Sequence, residues 1–301
     1  MTSDTTPSPD KLPPRELPRR RSGRHRDPLS FDDALGTPTL VLVAPQEEDN
    51  CGAELAELVR TYRPEVPVRL GYASRGVEGL SALFRELDAV REQPFRAVAV
   101  PLVAAPDQQL HETIAAAVTE SGVAVSVTEG LGPHPMLAEL LHLRLAESGF
   151  VRADRMRLIS VVAAGSGMTD GVVVGATGGA DADAAAGVSA VLLAARLGVT
   201  VLPAVLDAGS SVDDAFAQLR DAGAQHPVLA PCLLGTRDEL ELADQAVQRA
   251  GAQRCAPLGA STILAKIVAL RYAEVLNAVG LDNQPTEQDL PAPAGSRHRT
   301  E

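Results

Sequence analysis

The feature that most constrains this chain is a pattern that occurs twice, once in each half of the sequence. The segment VAVPLVAAPDQQL around Pro101 resembles VLAPCLLGTRDEL around Pro231. Further along, Leu131-Gly132 resembles Leu258-Gly259, and the interval between these two pairs is nearly the same as that between the two prolines. A nearly constant interval with a preserved order of elements indicates a tandem duplication. The sequence therefore predicts two similar halves.

Each half alternates short Val-rich runs with Ala- and Leu-rich segments of helical periodicity. This alternation is typical of a parallel sheet with helices on its faces. We predict strands at 39–44, 67–73, 96–103, 123–127, 171–176, 199–205, 227–233 and 252–256. We predict helices at 52–62, 77–91, 107–120, 135–147, 184–197, 211–222, 236–250 and 261–278. The predicted fold class is α/β, with two similar lobes that are each a parallel sheet flanked by helices.

The two ends of the chain differ in composition from the middle. Residues 1–36 are rich in Pro, Ser, Asp and Arg, and residues 281–301 are similarly polar. Such segments cannot bury enough apolar surface to offset their ordering entropy, so we predict two disordered tails. The lobes then occupy residues 37–150 and 151–280.

Composition and charge narrow the classes of partner. Aromatic residues make up 3% of the chain, there is no Trp, and the formal net charge is −12, which together disfavour nucleic-acid binding. No apolar run reaches the length of about 20 residues that spans a bilayer, so we expect no membrane partner. The three cysteines show no pairing motif and the first residues do not resemble a signal peptide. These observations predict a cytoplasmic protein.

The loops after the predicted strands are where a ligand is expected. In open parallel sheets ligands bind beyond the carboxyl ends of the strands, and in a two-lobed protein the cleft between the lobes is favoured. After the first strand, Glu47, Glu48 and Asp49 offer carboxylates for a hard cation, or else they stabilise the start of the next helix. The glycine-rich loop that includes Gly178 and Gly179 is able to cradle an anion with backbone N–H groups.

Several segments resemble the CbiX-type sirohydrochlorin chelatase family, in its tandem two-lobed form. In the first half these are LVLVA at 40–44, VPVRLGYAS at 66–74, AVAVPLVAA at 97–105 and GLGPHPMLAELLHLRLAESGF at 130–150. In the second half they are VVVGATGGADADAAAGVSAVLLAARLG at 172–198 and APLGAS at 256–261. The resemblance implies a chelatase-like fold and a lyase that inserts divalent Co or Fe, as substrate, into a tetrapyrrole such as sirohydrochlorin. The pathway implied is cobalamin or sirohaem biosynthesis.

The sequence departs from this family at the histidines that the resemblance implies as metal ligands. Their positions are occupied by Pro45 and Gln109 in the first half and by Ala176 and Glu239 in the second. Imidazole both binds such metals and accepts protons near neutral pH, whereas proline does neither. Whether the chain is an enzyme is therefore left open. The alternative is a non-catalytic pseudoenzyme that binds a tetrapyrrole, a metal or a protein partner as a carrier or regulator.

On the resemblance, neighbouring residues would replace the missing imidazoles. His111 and Glu112 would act as the catalytic pair, and His111 with Glu47 and Glu48 would hold the metal. The competing interpretation places His111 on the solvent-facing first turn of a helix, because residues two apart lie on different faces.

Three further side chains are candidates for binding the substrate. His134 would hydrogen-bond a substrate carboxylate, or else only shape the turn before its helix. Arg75 and Arg237 would clamp other carboxylates of the tetrapyrrole. A third interpretation is an enzyme of unrelated chemistry that holds a phosphate in its glycine-rich loops.

Overall fold

The structure is a computed structural model that describes residues 37–47, 50–87, 95–152, 168–208 and 211–282. The predicted disordered tail at 1–36 and residues 283–301 of the tail predicted at 281–301 lie outside these ranges, while residues 281 and 282 belong to a helix. The first lobe contains β1 (Thr39–Ala44), α1 (Asn50–Tyr62), β2 (Val68–Tyr72), a 3₁₀ turn (Ala73–Arg75), α2 (Gly76–Arg85), β3 (Ala97–Pro101), α3 (Gln108–Ser121), β4 (Val125–Val127) and α4 (Pro135–Glu147).

The second lobe repeats this order of strands and helices. It contains β5 (Gly171–Ala176), α5 (Gly179–Leu197), β6 (Thr200–Val205), α6 (Ser211–Asp221), β7 (Pro227–Pro231), α7 (Arg237–Ala250), β8 (Gln253–Arg254) and α8 (Thr262–Asp282). The strand orders are β2-β1-β3-β4 and β6-β5-β7-β8, and all pairs are parallel. The predicted α/β class with two similar lobes is confirmed.

The central strands explain why the sheets form where the sequence places them. Every residue of β1, β3, β5 and β7 is buried, which is the pattern of parallel strands covered on both faces. β3 and β7 end at Pro101 and Pro231, slightly earlier than predicted. Proline has no N–H to donate to a neighbouring strand, so it suits the end of a ladder.

Several helices differ in length from the prediction. α5 begins at Gly179 rather than at residue 184, and α8 continues to Asp282 rather than ending at 278. The Gly- and Asp-rich start of α5 looks like a loop in sequence, but Asp181 lies in the first turn, where a carboxylate interacts favourably with the helix dipole. α2 ends at Arg85, with Glu86 as its C-cap, so the helix predicted at 77–91 is shorter than expected; residues 88–91 lie outside the described residues.

The two sheets and their helices form five layers. One outer layer is α2 and α3, whose apolar side chains pack on β1 and β3 in a core of their own. The other outer layer is α6 and α7, which pack on the second sheet in a matching core. Between the sheets lie α1, α4, α5 and α8, and the core around them is continuous from the first sheet to the second. The lobes are therefore joined by a shared hydrophobic core.

The last helix of each lobe packs on the other lobe. α4 contacts α5 and β7 of the second lobe, and α8 contacts α1 and β3 of the first. Tyr272 of α8 is buried and donates a hydrogen bond from its hydroxyl to the carbonyl of Pro38, just before β1. The lobe boundary predicted at residue 150 stays a prediction, because the helices around it are exchanged.

Two arginines connect the lobes in a reciprocal way. Arg144 of α4 donates from Nε and Nη2 to the carbonyl oxygen of Leu258, at 3.0 and 2.6 Å. Arg271 of α8 donates from Nε to the carbonyl oxygen of Gly130, at 3.0 Å. Their side chains are only 18% and 15% exposed, so these three hydrogen bonds are largely shielded from water.

We expect Arg271→Met to lower the free energy of unfolding by about 1–3 kcal/mol. Methionine keeps the apolar stem but leaves the Gly130 carbonyl oxygen without this charged donor. Urea unfolding followed by circular dichroism measures the change. Arg237→Met is the matched control, because the Arg237 side chain is 84% exposed and pairs only with Glu241 one turn along the helix. Equal losses in the two variants would contradict a role for Arg271 between the lobes.

Candidate functional site

The loops that follow the strands meet where the lobes adjoin. Their backbones are in contact there, which leaves no space for a ligand between them. Gly178, after β5, lies against the carbonyl oxygen of Pro106, after β3: a Cβ on Gly178 would be 2.9 Å from that oxygen. A Cβ built on Gly132 would overlap the carbonyl oxygen of Ala104. The expected cleft between the lobes is therefore occupied at this seam by the loops themselves.

Three amides in the loops after β5 and β7 donate to carboxylates of the chain itself. The Gly178 amide donates to Oδ2 of Asp207 at 3.1 Å. In the equivalent loop after β7, the amides of Gly235 and Thr236 both donate to Oε2 of Glu239 at 2.9 Å. Gly179 is the first residue of α5. Because carboxylates of the chain already accept these hydrogen bonds, the three amides are not free to bind an anion.

The acidic loop after β1 is paired with a nearby arginine. Arg75 donates to both carboxylate oxygens of Glu47, with Nε at 2.9 Å from Oε2. The Arg75 guanidinium also lies over the ring of Tyr72, 5.5 Å from its centroid. The hydrogen bonds from Arg75 lower the pKa of Glu47. Arg75 and Glu47 thus satisfy one another, and Glu48 lies outside the described residues.

His111 and Glu112 lie on the exposed first turn of α3. Asp107 caps this helix by accepting a hydrogen bond from the amide of Leu110. Glu112 accepts a hydrogen bond from Gln108, one turn earlier on the same helix. Within the described ranges, no group of three His, Cys, Asp or Glu side chains is placed to hold a metal ion. A divalent metal substrate stays a prediction.

The remaining positions named from the sequence have local roles. Arg237 is the first residue of α7, exposed and paired with Glu241. Glu239 closes the capping box of α7 with Thr236. Ala176 is buried at the end of β5, and Gln109 is exposed on α3. The carbonyl of Pro45 accepts a hydrogen bond from the amide of Ser74.

His134 is placed by a helix start and by two charged residues of the other lobe. Its Nδ1 accepts a hydrogen bond from the amide of Met136 at 3.1 Å, so it caps α4. Burial lowers the pKa of His134, the charge of Arg271 lowers it further, and Glu274 acts in the opposite direction. With Nδ1 accepting, the neutral imidazole carries its proton on Nε2. His134 therefore caps α4, and its role in binding a substrate stays a prediction.

A surface depression lies in a different place, between the edge strand β6 and α6. Its volume is about 450 Å³, and it is lined by Leu202, Pro203, Ala208, Ser211, Asp214, Ala215 and Gln218. Asp214 and Gln218 are exposed and one helical turn apart. Ser211 accepts a hydrogen bond from the amide of Val205 at 3.0 Å and keeps its own hydroxyl proton for another acceptor.

The polar residues of this depression can be compared with the residues at the equivalent positions of the first lobe. Arg85 of α2 donates to the carbonyl of Glu120, and Arg220 of α6 donates to the carbonyl of Ala250. Because the two arginines make equivalent contacts, we use them to align the sequence of α2 with that of α6. On that alignment Ser211, Asp214 and Gln218 stand where the first lobe has Gly76, Gly79 and Leu83. The second lobe has thus acquired three polar side chains that the first lacks.

Sequence reasoning missed this depression. A position-by-position comparison of the two halves would have found it, because Gly, Gly and Leu on one helix are replaced by Ser, Asp and Gln at the equivalent positions of its duplicate. Exposed polar residues on a helix are otherwise common, so the second half alone gives no reason to single them out.

Comparisons with known proteins show only a distant likeness. No protein-family model matches the chain, and no curated protein matches it. An ABC sugar transporter subunit from Rhodobacter sphaeroides is similar in structure, with 12% identity over 84% of this chain and 95% of that one and a TM-score of 0.36. A periplasmic ribose ABC transporter from Conexibacter woesei has 13% identity over 72% of this chain and 70% of that one, with a TM-score of 0.35.

A third similar structure is an extracellular ligand-binding receptor from Verminephrobacter eiseniae. It has 10% identity and a TM-score of 0.33, and the match covers 72% of this chain and 62% of the receptor. Likeness at these values does not transfer a ligand or an activity to this chain.

These findings correct the interpretation drawn from the chelatase resemblance. The three similar structures described above are named as transporter and receptor proteins, not as chelatases, and no family model matches the chain. Membership of that family, metal insertion into a tetrapyrrole and a tetrapyrrole partner were wrong predictions. The prediction of a cytoplasmic protein is wrong by the same comparison, since similar structures are named as periplasmic or extracellular. None of the described helices is both long and apolar enough to cross a membrane.

The backbone contact at the seam makes Gly178 hard to replace. Its φ of +121° is unfavourable for other residues, and a Cβ would press on the Pro106 carbonyl. We expect Gly178→Ala to lower the free energy of unfolding by about 1–3 kcal/mol. Gly187→Ala, inside α5 with open space around it, is the control and should be neutral or stabilising by about 0.5–1 kcal/mol. A neutral Gly178→Ala variant in urea unfolding would show that the loops are not in contact.

The electrostatic environment of His134 is measurable by proton NMR titration. We expect its pKa to lie below the ordinary value of 6.5, to rise in Arg271→Met and to fall further in Glu274→Gln. Arg237→Met should leave it unchanged. Because the folded-state pKa is the lower one, this group lowers stability as the pH falls below about 6.5. A pKa of His134 that does not respond to Arg271→Met would refute the proximity of the two side chains.

Proposed function

We propose that this protein binds a small uncharged molecule with several hydroxyl groups, such as a simple sugar, in the depression between β6 and α6. The observation that carries the proposal is the replacement of Gly76, Gly79 and Leu83 of the first lobe by Ser211, Asp214 and Gln218 of the second. α2 and α6 form with either set of residues, although Leu83 packs against the outer core of the first lobe whereas Gln218 is exposed.

The chemistry of the lining fits a polyhydroxyl ligand. The Asp214 carboxylate accepts hydrogen bonds, the Gln218 amide both donates and accepts, and the Ser211 hydroxyl donates. Leu202, Pro203 and the alanines supply an apolar wall for C–H groups of the ligand. A carboxylate in the lining and a formal net charge of −12 disfavour an anionic ligand.

The proposed role is binding without chemical change. The titratable residues that the sequence singled out are dispersed: His111 is exposed on α3, Glu47 is paired with Arg75, and His134 caps α4. General acid–base catalysis needs such groups within hydrogen-bond reach of one substrate atom. The depression is open to solvent, so we expect weak affinity, with a dissociation constant on the order of 0.1–1 mM.

Saturation-transfer NMR with glucose, ribose and the diamine putrescine tests the proposal. We expect signals from at least one sugar, and a loss of binding of about tenfold or more in Asp214→Ala and in Gln218→Leu, which restores the residue type of the first lobe. The control is Gln109→Leu, an exposed glutamine on α3 outside the depression. Binding of putrescine alone, or sugar binding that survives both substitutions in α6, would overturn the proposal.

A further inference from the structure

We propose that two copies of this chain associate through α5, with the helices antiparallel. The surface concerned is the α5 face, which we define as Ala184, Val188, Val191 and Ala195. These residues are spaced by four, three and four positions, so they form one stripe along the helix. Val188 is 46% exposed and Val191 is 71% exposed.

Exposed apolar surface is concentrated at this place. In the described part of the chain, the large apolar side chains that are exposed are Tyr62, Leu143, Val188 and Val191. Leu143 is on α4, which packs beside α5. Three of these four side chains thus belong to one pair of neighbouring helices, and exposed apolar side chains concentrated in this way mark an interaction surface.

The first lobe again provides the comparison. The interval that separates Pro101 from Pro231 also aligns α1 with α5. At this interval the buried residues Leu55, Ala56 and Val59 of α1 correspond to the buried residues Ala185, Ala186 and Ser189 of α5. On this alignment, the equivalents of Ala184, Val188 and Val191 are Glu54, Leu58 and Thr61. The outward face of α1 is therefore mostly polar, while that of its duplicate is apolar, although both helices bury the same inner positions.

The charges beside the α5 face are complementary to those of a second copy. At about 100° per residue, the interval of about four turns from Asp181 to Arg196 places both on the same side of α5, within about 60°. They lie near opposite ends of the helix. When two copies of α5 pack antiparallel about a two-fold axis, the same sides adjoin and the ends are reversed. Each Asp181 then faces Arg196 of the second copy, and Val188 faces Val191.

The Nη groups of Arg196 supply the donors for this contact. Its Nη2 is 3.9 Å from Oε2 of Glu139 on α4, beyond hydrogen-bond distance, whereas its Nε is buried and takes no part. The direction of this side chain also shows that α4 lies on the Asp181 and Arg196 side of α5. Under the two-fold axis the α4 helices of both copies therefore lie on one side, and Leu143 extends the contact.

The size of the surface agrees with a weak dimer. α5 and α4 are about 28 and 20 Å long, and each helix presents a strip about 10 Å wide. The projected area is about 500 Å² per copy, at the low end of specific interfaces. An exposed β6 edge does not compete for this role, since Pro203 removes a donor from that strand.

Sedimentation velocity of the full chain over a range of concentrations tests the proposal. We expect the mass to move from 31.4 kDa towards twice that value as concentration rises. Val191→Glu should raise the dissociation constant at least about tenfold, because it buries a charge in the contact. Thr61→Glu, at the equivalent position of α1, is the matched control and should leave association unchanged. A wild-type chain that stays at 31.4 kDa throughout, or equal effects of both substitutions, would overturn the proposal.

A charge exchange tests the orientation of the helices. Asp181→Lys and Arg196→Glu should each weaken association, because each places like charges opposite one another in the dimer. Mixing the two variants should restore association, since the heterodimer pairs the introduced lysine with the introduced glutamate and the unchanged Arg196 with the unchanged Asp181. No gain on mixing, with both variants still folded by circular dichroism, would exclude the antiparallel arrangement. Sugar binding at α6 plays no part in either measurement, so the two proposals fail independently.

Discussion

The exchange of α4 and α8 between the lobes is the constraint on which the rest of the structure depends. Each sheet has one face covered by its own outer helices, while its inner face is covered partly by the last helix of the other lobe. The apolar side chains on the inner faces belong to one continuous core. Neither lobe can therefore bury its inner surface alone. The same exchange brings the strand-end loops into backbone contact, which is why the seam between the lobes holds no cleft there.

Much of the fold could be predicted from the sequence because its signals are local or repeated. The alternation of strands and helices is visible in the apolar runs, and the duplication fixes their order. The helix exchange could not be predicted, since Leu140 or Leu145 of α4 would be buried equally well against either sheet. Periodicity shows which face of a helix is apolar but does not identify its partner. The same ambiguity applies to Tyr272 of α8, whose hydrogen-bond acceptor lies at the opposite end of the chain.

The location of the candidate site could not be predicted from the sequence for a related reason. A glycine-rich loop presents N–H groups whether the acceptor is a ligand or another part of the chain. Here the acceptor of the Gly178 amide is Asp207, which lies beyond the next helix and strand. Similarly, Glu47 and Arg75 are far apart in sequence but paired in space. Residue type and spacing indicate which groups are able to bind a ligand, whereas long-range contacts decide which of them are free to do so.

The duplication supplies a physical control within one molecule. Both halves must satisfy the same backbone geometry, so positions that agree between them, such as Arg144 with Arg271 and Arg85 with Arg220, are explained by packing. Surface positions that differ, such as Gly79 with Asp214 and Glu54 with Ala184, are not needed to build the fold. A difference that adds polar groups to a depression points to a ligand, and one that removes charge from a helix face points to a macromolecular contact. In this protein both kinds of difference fall on the second lobe, so the proposed ligand site and the proposed contact with a second copy both lie there.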